Sequence, residues 1–218
     1  MTPRLMDTLG SLDAVGFLPA SLQALAAASM LRRRRRAVLW VVEDTEAMER
    51  AEDDLLCFLG PDEIRLFPPY DVRPYQDDSP SREILAARIS ALDALARTLP
   101  AVVVTPVNAL MGYTMTRDDL LSAAVEVREG DWIDRDELAS RLVRMGYVRE
   151  ALIDDVGQFS VRGSVMDLFS PGMGAPVRID MFGDEIVAVK MFDVRTQRTT
   201  RAVKSARIIP AREILLDA

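Results

Sequence analysis

Histidine is missing from this 218-residue chain, and cysteine occurs once, as Cys57. These absences exclude an internal disulfide, metal sites built from His and Cys, and every mechanism that needs an imidazole base. Cys57 sits among apolar neighbours in LLCFL, which predicts a buried structural thiol rather than a reactive one. Excess positive charge is missing too. The 27 basic and 34 acidic residues give a net charge of −7, which opposes the long-range attraction that a phosphate-backbone binder uses. A membrane-spanning run is also lacking. The nearest approach is Ala14 to Leu31, followed by Arg32 to Arg36 in the manner of a stop-transfer flank. That stretch is rich in Ala rather than Leu, contains Pro19 and Gln23, and leads straight into AVLWVV, a buried-strand pattern. The arginine run then reads as a solvated helix end, where cations suit the C-terminal dipole.

What is present is a globular chain, 49% hydrophobic, long enough for one large domain or two small ones. The first half alternates helices and strands. Helices are predicted from Pro19 to Leu31, from Thr45 to Leu59 and from Ser81 to Thr98. Strands are predicted at Ala37 to Val42, at Ile64 to Phe67 and in the AVVVT run. Thr45 is the expected N-cap and Gly60 the C′ residue of the second helix; Ser79 is the expected N-cap of the third, with Pro80 at its first position. The connection FPPYDVRPYQDDSP is long for a compact α/β unit. Asp134 and Glu137 form a capping pair that opens DELASRLVRMG.

From Gly157 to Thr199, alternating apolar and polar positions are broken at short intervals by turn residues, an antiparallel meander. The pattern therefore changes from α/β to α+β, and we place the boundary near residues 115 to 130, with domains at 1–120 and 121–210 and a closing segment at 211–218.

A nucleotide-binding βα unit carries G-x-x-x-x-G-K-[ST] before its first helix. Here that place holds Gly16-Phe-Leu-Pro-Ala-Ser-Leu-Gln, with Ser21 in place of the second glycine, Leu22 in place of the lysine and Gln23 in place of the metal-binding hydroxyl. Without the lysine's charge or the close approach of a backbone nest, a triphosphate has little to bind. Adjacent carboxylates at Asp53-Asp54, Asp77-Asp78, Asp154-Asp155 and Asp184-Glu185 point to different sides of a regular element, so local geometry brings none to one point. Arg149, after Gly146-Tyr147, and Arg162, before Gly163, could point the same way and flank an aromatic anchor such as Phe159. They could equally offset a helix dipole and pair with a cross-strand carboxylate, and the residues alone leave both readings open.

A resemblance weighs on that choice. FPPYDVRPYQDDSPSREILAARISAL, VVVTPVNALM, MGYVRE, GQFSVRGSVMDLF, RIDMFGDEI, FDVRTQRT and IIPARE resemble the N-terminal region of the bacterial transcription-repair coupling factors, the Mfd family, which is similar to the first domains of the excision-repair protein UvrB. The likeness is strongest from Phe67 to Glu213. UvrB has an intact phosphate loop and, between the positions of Tyr75 and Arg88, a DNA-gripping hairpin; this chain has neither, and the coupling factors share both losses. The resemblance implies a degenerate, helicase-like parallel-sheet domain without ATPase activity, followed by a smaller α+β domain that binds UvrA. It places the UvrA contact on Arg149 and Arg162, with Phe159 and Phe169 as neighbours. An arginine that UvrB carries two residues before its Arg-Gly falls on Ser160 here. The resemblance further implies no catalytic residue, metal or cofactor in this region, with ATP used by translocase domains elsewhere in the family's longer chain. RNA polymerase and DNA would be reached only through domains absent here, and the setting would be cytoplasmic. A second reading is an ATP-dependent helicase domain of the UvrB kind.

Overall fold

The computed structural model describes residues 18–72 and 79–215. Gly16, Tyr75, Asp77 and Asp78 lie outside these. Two compact units result, Met1–Asp78 with Ser90–Tyr113, and Ser79–Ile89 with Thr114–Ala218.

The first unit is an α/β arrangement around a three-stranded parallel sheet. Helix α1 (Ala20–Arg34) leads to β1 (Val38–Val42), helix α2 (Thr45–Leu56) to β2 (Ile64–Leu66), and helix α3 (Arg82–Ala96) to β3 (Val102–Pro106). The sheet order is β1-β3-β2, with β3 parallel to both neighbours. β3 is buried throughout, as its β-branched run demands of a central parallel strand. Val102 and Val104 pack with Ala24, Ala28 and Leu31 of α1 and Met48 and Leu55 of α2. Val103 packs on the other face with Phe67, Ala91 and Ala109.

Several local expectations are corrected here. The cap of α2 is Asp44, whose carboxylate accepts from the Ala47 N–H at 2.8 Å, because a carboxylate one residue earlier outcompetes the Thr45 hydroxyl for the first turn. The helix ends at Leu56, and Gly60 instead opens a short 3₁₀ turn, Pro61–Glu63, its N–H donating to Glu63 at 3.0 Å. Cys57 is exposed at that helix end, its thiol donating to the Asp53 carbonyl at 3.7 Å. The apolar string LLCFL ran past the point where the helix stops turning its buried face inward. For α3 the capping oxygen is that of Ser81, which accepts from the Ile84 N–H at 3.3 Å, so the cap lies two residues after the expected Ser79.

The second unit is α+β. Helix α4 (Arg117–Ala123) and strand β4 (Val125–Arg128) precede helix α5 (Arg135–Arg144), which Asp134 caps through the Glu137 N–H at 2.7 Å. Seven strands follow: β5 (Val148–Arg149), β6 (Gln158–Arg162), β7 (Val165–Leu168), β8 (Val177–Phe182), β9 (Glu185–Phe192), β10 (Thr199–Val203) and β11 (Ser205–Ile208). Six of them form a sheet in the order β10-β9-β8-β7-β6-β5, antiparallel except for the parallel β5–β6 edge; β11 pairs separately with β4. The β6–β7 and β8–β9 hairpins each turn on two residues with glycine first, Gly163 (φ 58°) and Gly183 (φ 61°), the type II′ pattern that matches strand twist. One sheet face carries Phe159, Met166, Leu168, Val177, Ile179 and Val189 onto Leu138 and Leu142 of α5 and Val127 of β4. Ser79–Ile89, which holds the first eight residues of α3, belongs to this unit. There Arg88 and Glu213 form a fully buried ion pair.

Candidate protein-interaction site

Period-two alternation decides which side chains of the six-stranded sheet are offered to solvent. Phe159 pairs in register with Leu168, which pairs with Val177, and all three lie on the packed face. Ser160 pairs with Asp167, Asp167 with Arg178, and Arg178 with Lys190, which makes a polar row on the opposite face.

Arg162 lies on that polar face, at the end of β6, with its side chain 45% exposed and its guanidinium donating to the Asp167 carboxylate. Asp167 is 1% exposed and is also gripped by Arg178, whose Nε and terminal nitrogen donate at 2.7 and 2.9 Å. Hydrogen bonding to Asp167 raises the Arg178 guanidinium above the ordinary arginine value, against partial burial. Arg178 also lies over the Phe192 ring, 4.8 Å from its centroid. Beside them Lys190 donates to Asp180 at 2.6 Å. The cross-strand pairing that the residues left open for Arg162 is therefore realised, and half of the side chain still faces solvent.

Arg149 is exposed and pairs in register with Phe159, so its position belongs to the packed face, at the open β5 edge. It lies three residues back from Arg162 along β6, about 10 Å at strand rise. The two arginines do not point the same way, because an odd separation in register puts them on opposite faces. Phe159 is fully buried in the core and cannot be a surface anchor between them; it holds the sheet on which they stand. Phe169 is partly buried just beyond β7, where its N–H donates to the Gln158 carbonyl at 3.0 Å. Ser160 is buried, its hydroxyl donating to the Ala151 carbonyl at 3.2 Å. Asp167 and Arg178 escaped sequence reasoning. The available signal was a pair of opposite charges at positions that alternate with core residues, in MDL and VRI.

In the first unit, Ser21, Leu22 and Gln23 lie exposed in the first turn of α1. The Gln23 amide donates to the Leu18 carbonyl at 2.9 Å. A cleft of about 330 Å³ beside it is lined, among the described residues, by Trp40, Glu43, Arg50 and Asp54 as well as Gln23, a wall of mixed charge. Among the described residues no group of three or more Asp, Glu or Cys is placed to hold a metal ion. No helix among them is long and apolar enough to cross a membrane. Arg32 forms a two-pronged pair with Glu63, and Arg33 and Arg34 end the helix. The Gly60 N–H and then Arg32 hold the Glu63 carboxyl below its usual range.

The sheet with its polar row and exposed arginines lies within the part of the chain, residues 125–214, that matches the UvrB interaction domain family. The transcription-repair-coupling factor of Myxococcus xanthus is 40% identical over 191 residues, covering 84% of this chain. The chain is a homologue of the transcription-repair-coupling factors. The factor of Staphylococcus aureus strain bovine RF122 is 29% identical over 199 residues and 91% of the chain, and that of Staphylococcus haemolyticus 27% over 201 residues and 92%. The chain spans 16–17% of the length of these coupling factors. The similarity thus extends through both units, while the domain family covers the second.

Proposed function

We propose that this chain is a non-catalytic adaptor module of transcription-coupled nucleotide excision repair that binds UvrA through its α+β unit. The observation that carries this reading is the coincidence of the UvrB interaction domain match with a sheet whose polar face ends in a half-exposed arginine, preset by a buried carboxylate. A guanidinium held in one orientation loses little freedom when a partner carboxylate arrives, and arginine's planar fork suits such contacts. In this reading Arg149 and Arg162 touch UvrA from two sides of the sheet edge, Phe169 borders them, and Phe159 acts only through the core. RNA polymerase and DNA are engaged by other domains of a longer cytoplasmic protein of this family. The test is calorimetric titration of UvrA with the wild type, Arg149→Glu and Arg162→Glu. Each reversal is expected to weaken binding at least tenfold, and unchanged affinity in both removes the site.

The first unit, in the same reading, is a helicase-like domain that has lost nucleotide binding. Support comes from Leu22 in the lysine's place and from the Gln23 amide turned back onto Leu18. Titration with ATP and magnesium is expected to be silent. Saturable heat that vanishes on altering residues 16–23 would favour the ATP-dependent UvrB-type domain instead.

A further inference from the structure

Two aromatic side chains of the α+β unit stand in solvent at one end of the sheet, Trp132 at 74% and Phe182 at 79% exposure. They are not scattered. Phe182 pairs with Glu185 across the β8–β9 hairpin, and Trp132 pairs with the same Glu185 from the other side through an antiparallel bridge. Register partners share a face, so the three side chains form one row, aromatic, carboxylate, aromatic. The row is fixed by backbone hydrogen bonds of 2.8 Å from Gly130 N–H to the Ile186 carbonyl, from Ile186 N–H to the Asp131 carbonyl and from Ile133 N–H to the Asp184 carbonyl.

Three carboxylates flank this row. Glu129, Asp184 and Glu185 have no side-chain partner among the described residues. Of the nearby cations, Arg128 is committed to Glu126 at 2.7 Å and Arg135 to the Gly163 carbonyl at 2.6 Å, while Lys204, whose carbonyl accepts from the Glu129 N–H, is exposed beyond Glu129. Exposed rings on a rigid support, flanked by unpaired carboxylates, attract a planar cation that stacks on the ring and bonds the carboxylate in the same plane. They repel phosphates and acidic peptides.

We propose that the Trp132–Glu185–Phe182 row is a docking site for an arginine-bearing segment of a protein partner. The site is separate from the Arg149 and Arg162 positions, whose own charge selects an acidic partner surface, and it stands whether or not these bind UvrA.

The probe is an acetylated, amidated pentapeptide, Gly-Arg-Ala-Arg-Gly, titrated into the full 218-residue chain while the tryptophan indole N–H resonances are followed by NMR. The chain has two tryptophans, so Trp132→Phe assigns the signal. A saturable shift of the Trp132 resonance is expected, with at least tenfold weaker binding when citrulline replaces arginine and at least fivefold weaker binding for Glu185→Gln and for Phe182→Ala. All three side chains are exposed or half-buried, and circular dichroism checks that the variants fold. Arg149→Glu and Arg162→Glu should leave this titration unchanged. No saturable shift, equal affinity for Glu185→Gln, or tighter binding of a single-stranded oligonucleotide at the same resonance overturns the proposal. So does concentration-dependent self-association that Trp132→Ala abolishes, which would assign the row to a second copy of the chain.

Discussion

Asp167 carries more of the second unit than its single charge suggests. It is buried, and two arginines converge on it, one of them itself 21% exposed and one 45%. Removing the charge leaves Arg178 in a partly desolvated place without its counterion, so Asp167→Asn is expected to cost about 2–3 kcal/mol in urea unfolding. Arg162→Ala removes the more exposed partner and should cost less than about 1 kcal/mol. An equal loss for the two variants would contradict the asymmetric triad. At this scale sequence and structure diverge most. The period-two pattern marks strands between Gly157 and Thr199, yet alternation cannot say which face a sheet turns to the core. The anchor that the residues allow at Phe159 is for that reason a core side chain. Cys57 failed for the related reason that apolar neighbours in sequence are not neighbours in space once a helix has ended.

Elements were far more legible than single contacts. Helix α5 with its Asp134 cap, the all-buried β3 and the two glycine-led hairpins follow directly from composition and spacing. The short strands β4 and β11 were not, because their pairing joins residues 125–128 to 205–208, and four-residue segments carry too little periodicity to announce a partner so distant. The Gly163 turn gives an element-scale test. A Cβ there would meet no atom within 4 Å, so any penalty for Gly163→Ala comes from its φ of +58° alone. The expected cost is about 1–2 kcal/mol by urea unfolding. Gly174 has equally open space and no positive φ, and Gly174→Ala should be neutral or slightly stabilising. If both substitutions behave alike, the turn is not strained as described.

At the scale of the whole molecule, one buried phenol ties stability to alkaline pH. Tyr147 is 3% exposed and donates to the Ile209 carbonyl at 2.7 Å; burial raises its pKa far above the usual tyrosine value, opposed by the Ser170 hydroxyl. The unfolded chain releases this proton near pH 10 and the folded chain does not. Stability is therefore complete below pH 10 and falls above it, by about 1.4 kcal/mol per pH unit for one proton. The absorbance rise at 295 nm from Tyr147 should coincide with loss of circular dichroism, and Tyr147→Phe should flatten that part of the stability profile. Reversible ionisation of Tyr147 within the folded protein would refute it. That Ser79–Ile89 joins the second unit is not legible in the sequence, since a continuous helical pattern gives no sign of changing allegiance midway.

That discontinuity sets an order of events on the ribosome. Arg88 is synthesised 125 residues before Glu213, the carboxylate that buries it. At typical elongation rates the guanidinium waits about 6–25 s for its counterion. During that interval the α+β unit has an unclosed seam, to which a chaperone or a neighbouring nascent chain has access. Synonymous codons that slow translation between positions 89 and 213 should lengthen the wait and lower the soluble yield without changing the finished protein.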